Sequence, residues 1–197
     1  MIISVTKFPQ CLIITTEVFE DFRGDYVESY HQEKYQMIFS ENDIPPLAFI
    51  QDDFSFSHKG VLRGIHGDDK TWKLISCPQG EIYYVVTCCD KESEQFGQWQ
   101  SFIISGSNRK QVLVPPKHGA AFLALTNCTF HYKQSTYYEN CKQFTYAWDE
   151  EKFNIYWPLE RLNGLGISQP IMSNRDKEVK RIDGGQIVDR FVNVSRF

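Results

Sequence analysis

The chain has 197 residues, of which 42% are hydrophobic and 15% aromatic, and its formal net charge is −4. That length predicts one domain, 1–197, with ample apolar content for a core. The mild acidity and the lack of a basic run argue against nucleic acid or an anionic membrane as partner, and no apolar run approaches the roughly 20 residues of a membrane span.

Chain order then gives short strand-like runs: residues 11–16, 48–51, 73–77, 81–87, 99–104, 111–114, 121–125, 129–133 and 143–148. Gly24, Lys59-Gly60, Pro78-Gln-Gly80, Gly106, Pro115-Pro116, Asn127 and Asn140 punctuate them. Many short strands without interleaved helices predict an all-β sandwich or barrel. One short helix is expected over 32–39 and another near the C-terminus. Residues 177–197 turn more charged and read as a C-terminal appendage. Met1 to Lys7 does not read as a secretion signal. The cysteines are Cys11, Cys77, Cys88, Cys89, Cys128 and Cys141. None stands at C-x-x-C spacing and most lie in apolar runs, so they are expected to be reduced and buried in a cytoplasmic protein.

The chemistry concentrates in Gly60-Val-Leu-Arg-Gly-Ile-His66, with Lys73 seven residues beyond. This sets Arg63, His66 and Lys73 on or beside what reads as one buried strand. An Arg can clamp a phosphate, a His can take a proton near neutral pH, and a Lys can hold the negative charge left behind. Two cations beside an imidazole also call for a missing anion, from a ligand or a distant acid. From spacing alone, Arg23 reads as a turn charge and Asp68-Asp69-Lys70 as a solvated loop. Tyr132 and Tyr137-Tyr138 read as half-buried structural tyrosines, and Asp176 as a cap or turn residue. The other histidines, His31, His58, His118 and His131, form no His-x-His pair, so no metal is expected. No motif for a hydrolase, a kinase or a dinucleotide-binding enzyme is present.

One family carries these stretches in this order: Asp21-Phe-Arg-Gly24 with Glu28, Phe49-Ile-Gln51-Asp52, Val61-Leu-Arg-Gly-Ile-His66, Lys73-Leu-Ile, Phe96-Gly-Gln-Trp99, Tyr132-Lys133 with Tyr137-Tyr138, Trp148-Asp149, and Ser173-Asn-Arg-Asp176. From about residue 12 to 176 the chain resembles the dTDP-4-dehydrorhamnose 3,5-epimerase family of nucleotide-sugar epimerases. The resemblance implies a jelly-roll (cupin-like) β-sandwich, a homodimer, no cofactor and no metal. It implies a dTDP- or GDP-linked 4-keto-6-deoxy sugar as substrate, inverted at C3 and possibly at C5, in the synthesis of deoxysugars for a surface polysaccharide. Carried over by motif, His66 is the base, Asp176 orients it, Lys73 stabilises the enolate and Tyr132 is the acid. Arg23 and Arg63 hold the diphosphate, Glu28 and Gln51 line the site, and Tyr138 walls it. The chain departs where Ala120 stands at the family's histidine position and where the loop from His66 to Lys73 is short. A 3,4-ketoisomerase of the same substrates and a non-catalytic sugar-nucleotide-binding jelly roll are the alternative readings.

Overall fold

The computed structural model describes residues 1–162, 169–179 and 182. β1 (Ile2–Val5), β2 (Leu12–Thr15), the hairpin β3 (Val18–Asp21) and β4 (Gly24–Val27), and helix α1 (Gln32–Glu41) come first. Next are β5 (Gln51–Ser57), β6 (Leu62–Gly67), β7 (Lys73–Gln79), β8 (Glu81–Cys88) and β9 (Trp99–Ser105). β10 (Lys110–Val114), β11 (His118–Ala124), β12 (Cys128–Gln134), the two-residue β13 (Phe144–Thr145) and helix α2 (Asn174–Lys177) follow. The strands make a six-stranded sheet, β1-β2-β10-β7-β12-β5, and a five-stranded sheet, β13-β6-β11-β8-β9. The pairings within both are antiparallel. This is the expected all-β, cupin-like jelly roll.

Side-chain alternation explains the layers. On β8, Ile82, Tyr84 and Val86 join Ile75, Val112, Val114 and Phe122 in the core shared by the two sheets. Tyr83 and Val85, the alternate residues, pack on the other face with Leu123, Tyr146, Phe153 and Trp157. Both faces of β8 are therefore buried, which is why it reads as an unbroken apolar run. Helix α1 covers the far face of the six-stranded sheet. Its Tyr35, Ile38 and Phe39, spaced i, i+3, i+4, pack over Leu12, Ile14, Leu74 and Leu113. Burying such side chains contributes roughly 1.5–3 kcal/mol each. The β7–β8 turn requires its glycine: Gly80 has φ +81°, and a Cβ there would lie 2.2 Å from the Asn127 carbonyl oxygen.

Several sequence expectations shift. Lys73 does not share the strand of His66: it opens β7 in the six-stranded sheet, whereas His66 is on β6 in the other. The intervening tight loop crosses the sandwich. Of the run 48–51 only Gln51 lies in a strand. β5 begins at Gln51 and carries Asp52, Asp53 and outward Phe54 and Phe56, an edge-strand pattern that hydrophobicity alone does not reveal. The run 143–148 reduces to β13, β1 and the β3–β4 hairpin are added, and Asp21-Phe-Arg-Gly24 forms that hairpin's turn. Cys11, Cys77, Cys88, Cys89 and Cys128 are buried free thiols. Of the expected appendage over 177–197, only 177–179 and 182 are described.

Candidate active site

The site is built from the strand carrying Arg63, Gly64 and His66. Gly64 has φ +118°, and a Cβ there would stand 2.5 Å from both the Ala120 carbonyl oxygen and the Ala121 Cβ. Only glycine lets β6 lie this close to β11. In that register His66 pairs with Ala120 on β11 and with Thr145 on β13.

Asp176 reaches His66 from 110 residues away. The chain returns along β6: the Leu62 N–H donates to the Ile171 carbonyl (2.9 Å) and the Ile171 N–H to the Gly60 carbonyl (2.8 Å). Helix α2 then starts at its N-cap, Ser173, whose Oγ accepts the Asp176 N–H at 3.3 Å and donates to Asp176 Oδ2 at 3.0 Å. The other carboxylate oxygen, Oδ1, lies 2.6 Å from His66 Nε2. The His66 side chain is 27% exposed and that of Asp176 only 3%. Burial pushes the imidazole below its ordinary value. Asp176 opposes this, while Arg175 and Lys73 add to the depression. His66 is thus a neutral base at neutral pH, fixed in orientation by a buried carboxylate.

A cavity of about 860 Å³ lies in front of this pair, within the usual range for small-ligand clefts. His66 and Arg63 line it from β6, Lys73 from β7 and Tyr132 from β12, so base and phenol come from different sheets. Burial lowers the Lys73 pKa, Asp68 counters that and Arg175 reinforces it. Burial also pushes the Tyr132 phenol up to about 12, with smaller upward contributions from Asp53 and Tyr138, so it stays protonated. Arg63 is held by neutral acceptors, Ser57 Oγ at 3.0 Å and the Phe56 carbonyl at 3.3 Å. Its charge is therefore available to an anion.

Tyr138 lines the cavity too, with its hydroxyl accepting from Arg175 Nη1 at 3.3 Å. Gln51 sits just behind: its Oε1 accepts the Tyr138 N–H at 2.7 Å and its Nε2 donates to Asp53 at 2.7 Å. Arg23 and Glu28 are not brought to the cavity of their own chain. Arg23, in the β3–β4 turn, forks onto Asp21, and Glu28 pairs with Lys34 at 2.6 Å. His118 is no second base: its ring packs edge-on against Phe8, and among the described residues His66 is the one histidine lining the cavity. Also among the described residues, no three His, Cys, Asp or Glu side chains converge as a metal ion would require.

Sequence reasoning missed Arg175, Gln143 and Asp68. Arg175 and Gln143 line the cavity, and Arg175 is tied to Thr145 Oγ1 at 3.0 Å. The Ser173-x-x-Asp176 spacing was a readable cap signal that places residues 174 and 175 on one turn of helix. Asp68, read as solvated, is buried at 6% exposure. Its backbone-capping geometry leaves no periodic signature.

Fold and site together define an isomerase of the jelly-roll class. The model of the dTDP-4-dehydrorhamnose 3,5-epimerase family matches residues 5–183, and the chain belongs to that family. It is 34% identical over 169 residues to the dTDP-4-dehydrorhamnose 3,5-epimerase of Salmonella typhimurium, covering 84% of this chain and 90% of that one. The dTDP-4-dehydrorhamnose 3-epimerase of Streptomyces niveus is 27% identical, over 84% of this chain and 76% of that one. Among solved structures, dTDP-6-deoxy-D-glucose-3,5-epimerase of Legionella pneumophila, in complex with dTDP-4-keto-L-rhamnose, superposes with a TM-score of 0.82. It is 31% identical, with 91% and 92% of the two chains covered.

Proposed function

We propose that the cavity binds a dTDP- or GDP-linked 4-keto-6-deoxy sugar and that His66 inverts its C3. The observation that carries this reading is the 2.6 Å His66–Asp176 contact within a cavity also lined by Lys73 and Tyr132. His66 takes the hydrogen of C3 as a proton. The electron pair of that C–H bond moves into the C3–C4 bond, and the C4 carbonyl becomes an enolate oxygen beside the Lys73 ammonium. Asp176 stabilises the imidazolium. Tyr132 then delivers its proton to C3 from the other face, the enolate collapses to the ketone, and exchange with water resets both groups.

Arg63 and Arg23 hold the diphosphate, with Glu28 and Gln51 lining the nucleotide end and Tyr138 forming a wall. Since Arg23 and Glu28 stand away from the cavity of their own chain, they serve that of a second copy. The hairpin that carries Arg23 supports this homodimer, because it exposes Phe19, Phe22 (98%) and Tyr26, while edge strand β5 exposes Phe54 and Phe56. The chain is a single domain, 1–197, working in the cytoplasm, and its product feeds a reductase or aminotransferase of surface-polysaccharide synthesis. The presence of both 3,5- and 3-epimerases among the relatives, together with Ala120 opposite His66, favours C3 as the reacting carbon.

The test is incubation with dTDP- and GDP-linked 4-keto-6-deoxyhexoses in D2O, with deuterium read at each carbon by NMR. Deuterium at C3 and an inverted product are expected with one of the two. No exchange with either nucleotide would refute the proposal.

A further inference from the structure

Asp68 is held from three sides. Its Oδ1 accepts the N–H groups of Lys70 (2.9 Å) and Thr71 (2.6 Å). Its Oδ2 accepts Gln143 Nε2 at 2.7 Å. Its own carbonyl accepts the Lys117 N–H at 2.8 Å, tying the turn to the start of β11. The turn itself needs only an oxygen at Oδ1, which Asn or Ser would also supply. The charge facing the other way needs a separate explanation.

That charge faces Lys73. Asp68 Oδ2 stands 3.8 Å from Lys73 Nζ, and the two side chains are 6% and 13% exposed. The separation is that of an ion pair without a hydrogen bond, so the ammonium keeps its N–H groups for a ligand in the cavity. The other charged groups acting here are Arg175, which depresses the Lys73 pKa, and His66, which Lys73 itself depresses. Burial and Arg175 thus both drive Lys73 toward the neutral amine. Among the described residues, Asp68 is the carboxylate in ion-pair contact with it.

We propose that Asp68 is a positioning residue, which keeps the Lys73 ammonium charged and aimed into the cavity while the Gln143 amide holds the carboxylate in place. This rests on the proposed function insofar as Lys73 meets the enolate oxygen. Asp68 is a longer-range counterpart of Asp176, with one acid serving the base and the other the oxyanion holder.

The test is Asp68→Asn, which preserves the Oδ1 acceptor and allows the Gln143 amide to turn over and accept in its place. Two readouts are combined: the Lys73 ammonium titration, followed by 15N NMR of lysine-labelled protein and assigned with Lys73→Arg, and the pH profile of kcat. The Lys73 midpoint and the alkaline limb of kcat should both move down by about one pH unit or more, with KM within about twofold of wild type. Tyr132, pushed up to about 12, does not set that limb. Asp68→Ser, which also retains a turn acceptor, should behave in the same way. An unmoved Lys73 midpoint in either folded variant would overturn the proposal. So would loss of folding in both, since Asp68 would then be only a structural turn residue. A wild-type protein that exchanges no deuterium would instead refute the proposed function, and the NMR titration would still decide the role of Asp68.

Discussion

The chemistry of the site rests on how far burial moves each titratable group. His66 is depressed below its ordinary value of 6.5, chiefly by burial, which outweighs the upward pull of Asp176. A base must be neutral to act, and a lower pKa keeps it neutral to lower pH. The acid limb of kcat/KM is therefore expected below pH 6.5, and a limb above 7 in the free enzyme would contradict the assignment. Asp176→Asn removes the charge that raises His66 and steadies its imidazolium. That limb should move still lower while the rate falls on the order of 10²-fold or more. Unchanged kcat in the variant would show that the 2.6 Å contact is structural. Arg63 bears on binding rather than chemistry. Held by the neutral acceptors Ser57 and the Phe56 carbonyl, it is expected on Arg63→Ala to weaken binding of the bare nucleoside diphosphate, more strongly at low salt. Equal affinity by calorimetry at two ionic strengths would count against it. At this scale the sequence was legible where a motif is local. Arg63, His66 and Lys73 could be singled out, whereas Tyr132 read as a structural tyrosine and stood out only through the family resemblance. The acids near His66 and Lys73 are Asp176 and Asp68. Which acids would stand there could not be read from spacing, because 110 positions separate His66 from Asp176 and only the path of the chain along β6 brings them together.

Among the elements, β6 is the one on which the rest depends. Its contact with β11 leaves no room for a side chain at Gly64, where a Cβ would meet backbone at 2.5 Å. Gly64→Ala should cost about 3 kcal/mol and lower the melting temperature by about 6 °C or more, and the displaced His66 should lose activity beyond what the lost stability explains. A variant that melts with wild type would show the strand can shift without consequence. The strand inventory was largely readable because β8, β10, β11 and β12 are apolar or regularly alternating. β5 and the β3–β4 hairpin were not: their outward Phe54, Phe56, Phe19 and Tyr26 reverse the usual sense of alternation, as the proposed homodimer would explain. That Lys73 faces His66 from the opposite sheet was not readable for a related reason. A turn folded around Asp68 carries the chain from one sheet to the other, and no periodicity records that crossing.

For the whole molecule, Arg23 and Glu28 would complete the cavity of a second copy. Two individually inactive variants, Arg23→Ala and His66→Asn, should then regain activity when unfolded and refolded together. Each mixed dimer holds one intact site, so an equal mixture recovers about a quarter of wild-type sites. No recovery, with mixed dimers present by mass spectrometry, would place Arg23 outside the partner's cavity. The central claim is that one imidazole removes one carbon-bound proton, and it is tested most directly by following deuterium at C3 of the 4-keto sugar in D2O with wild type and His66→Asn side by side. Wild type should exchange C3 and invert it, with C5 remaining protiated, and His66→Asn should be slower by on the order of 10²–10⁴-fold at matched melting temperature. Exchange by His66→Asn at the wild-type rate would contradict the account.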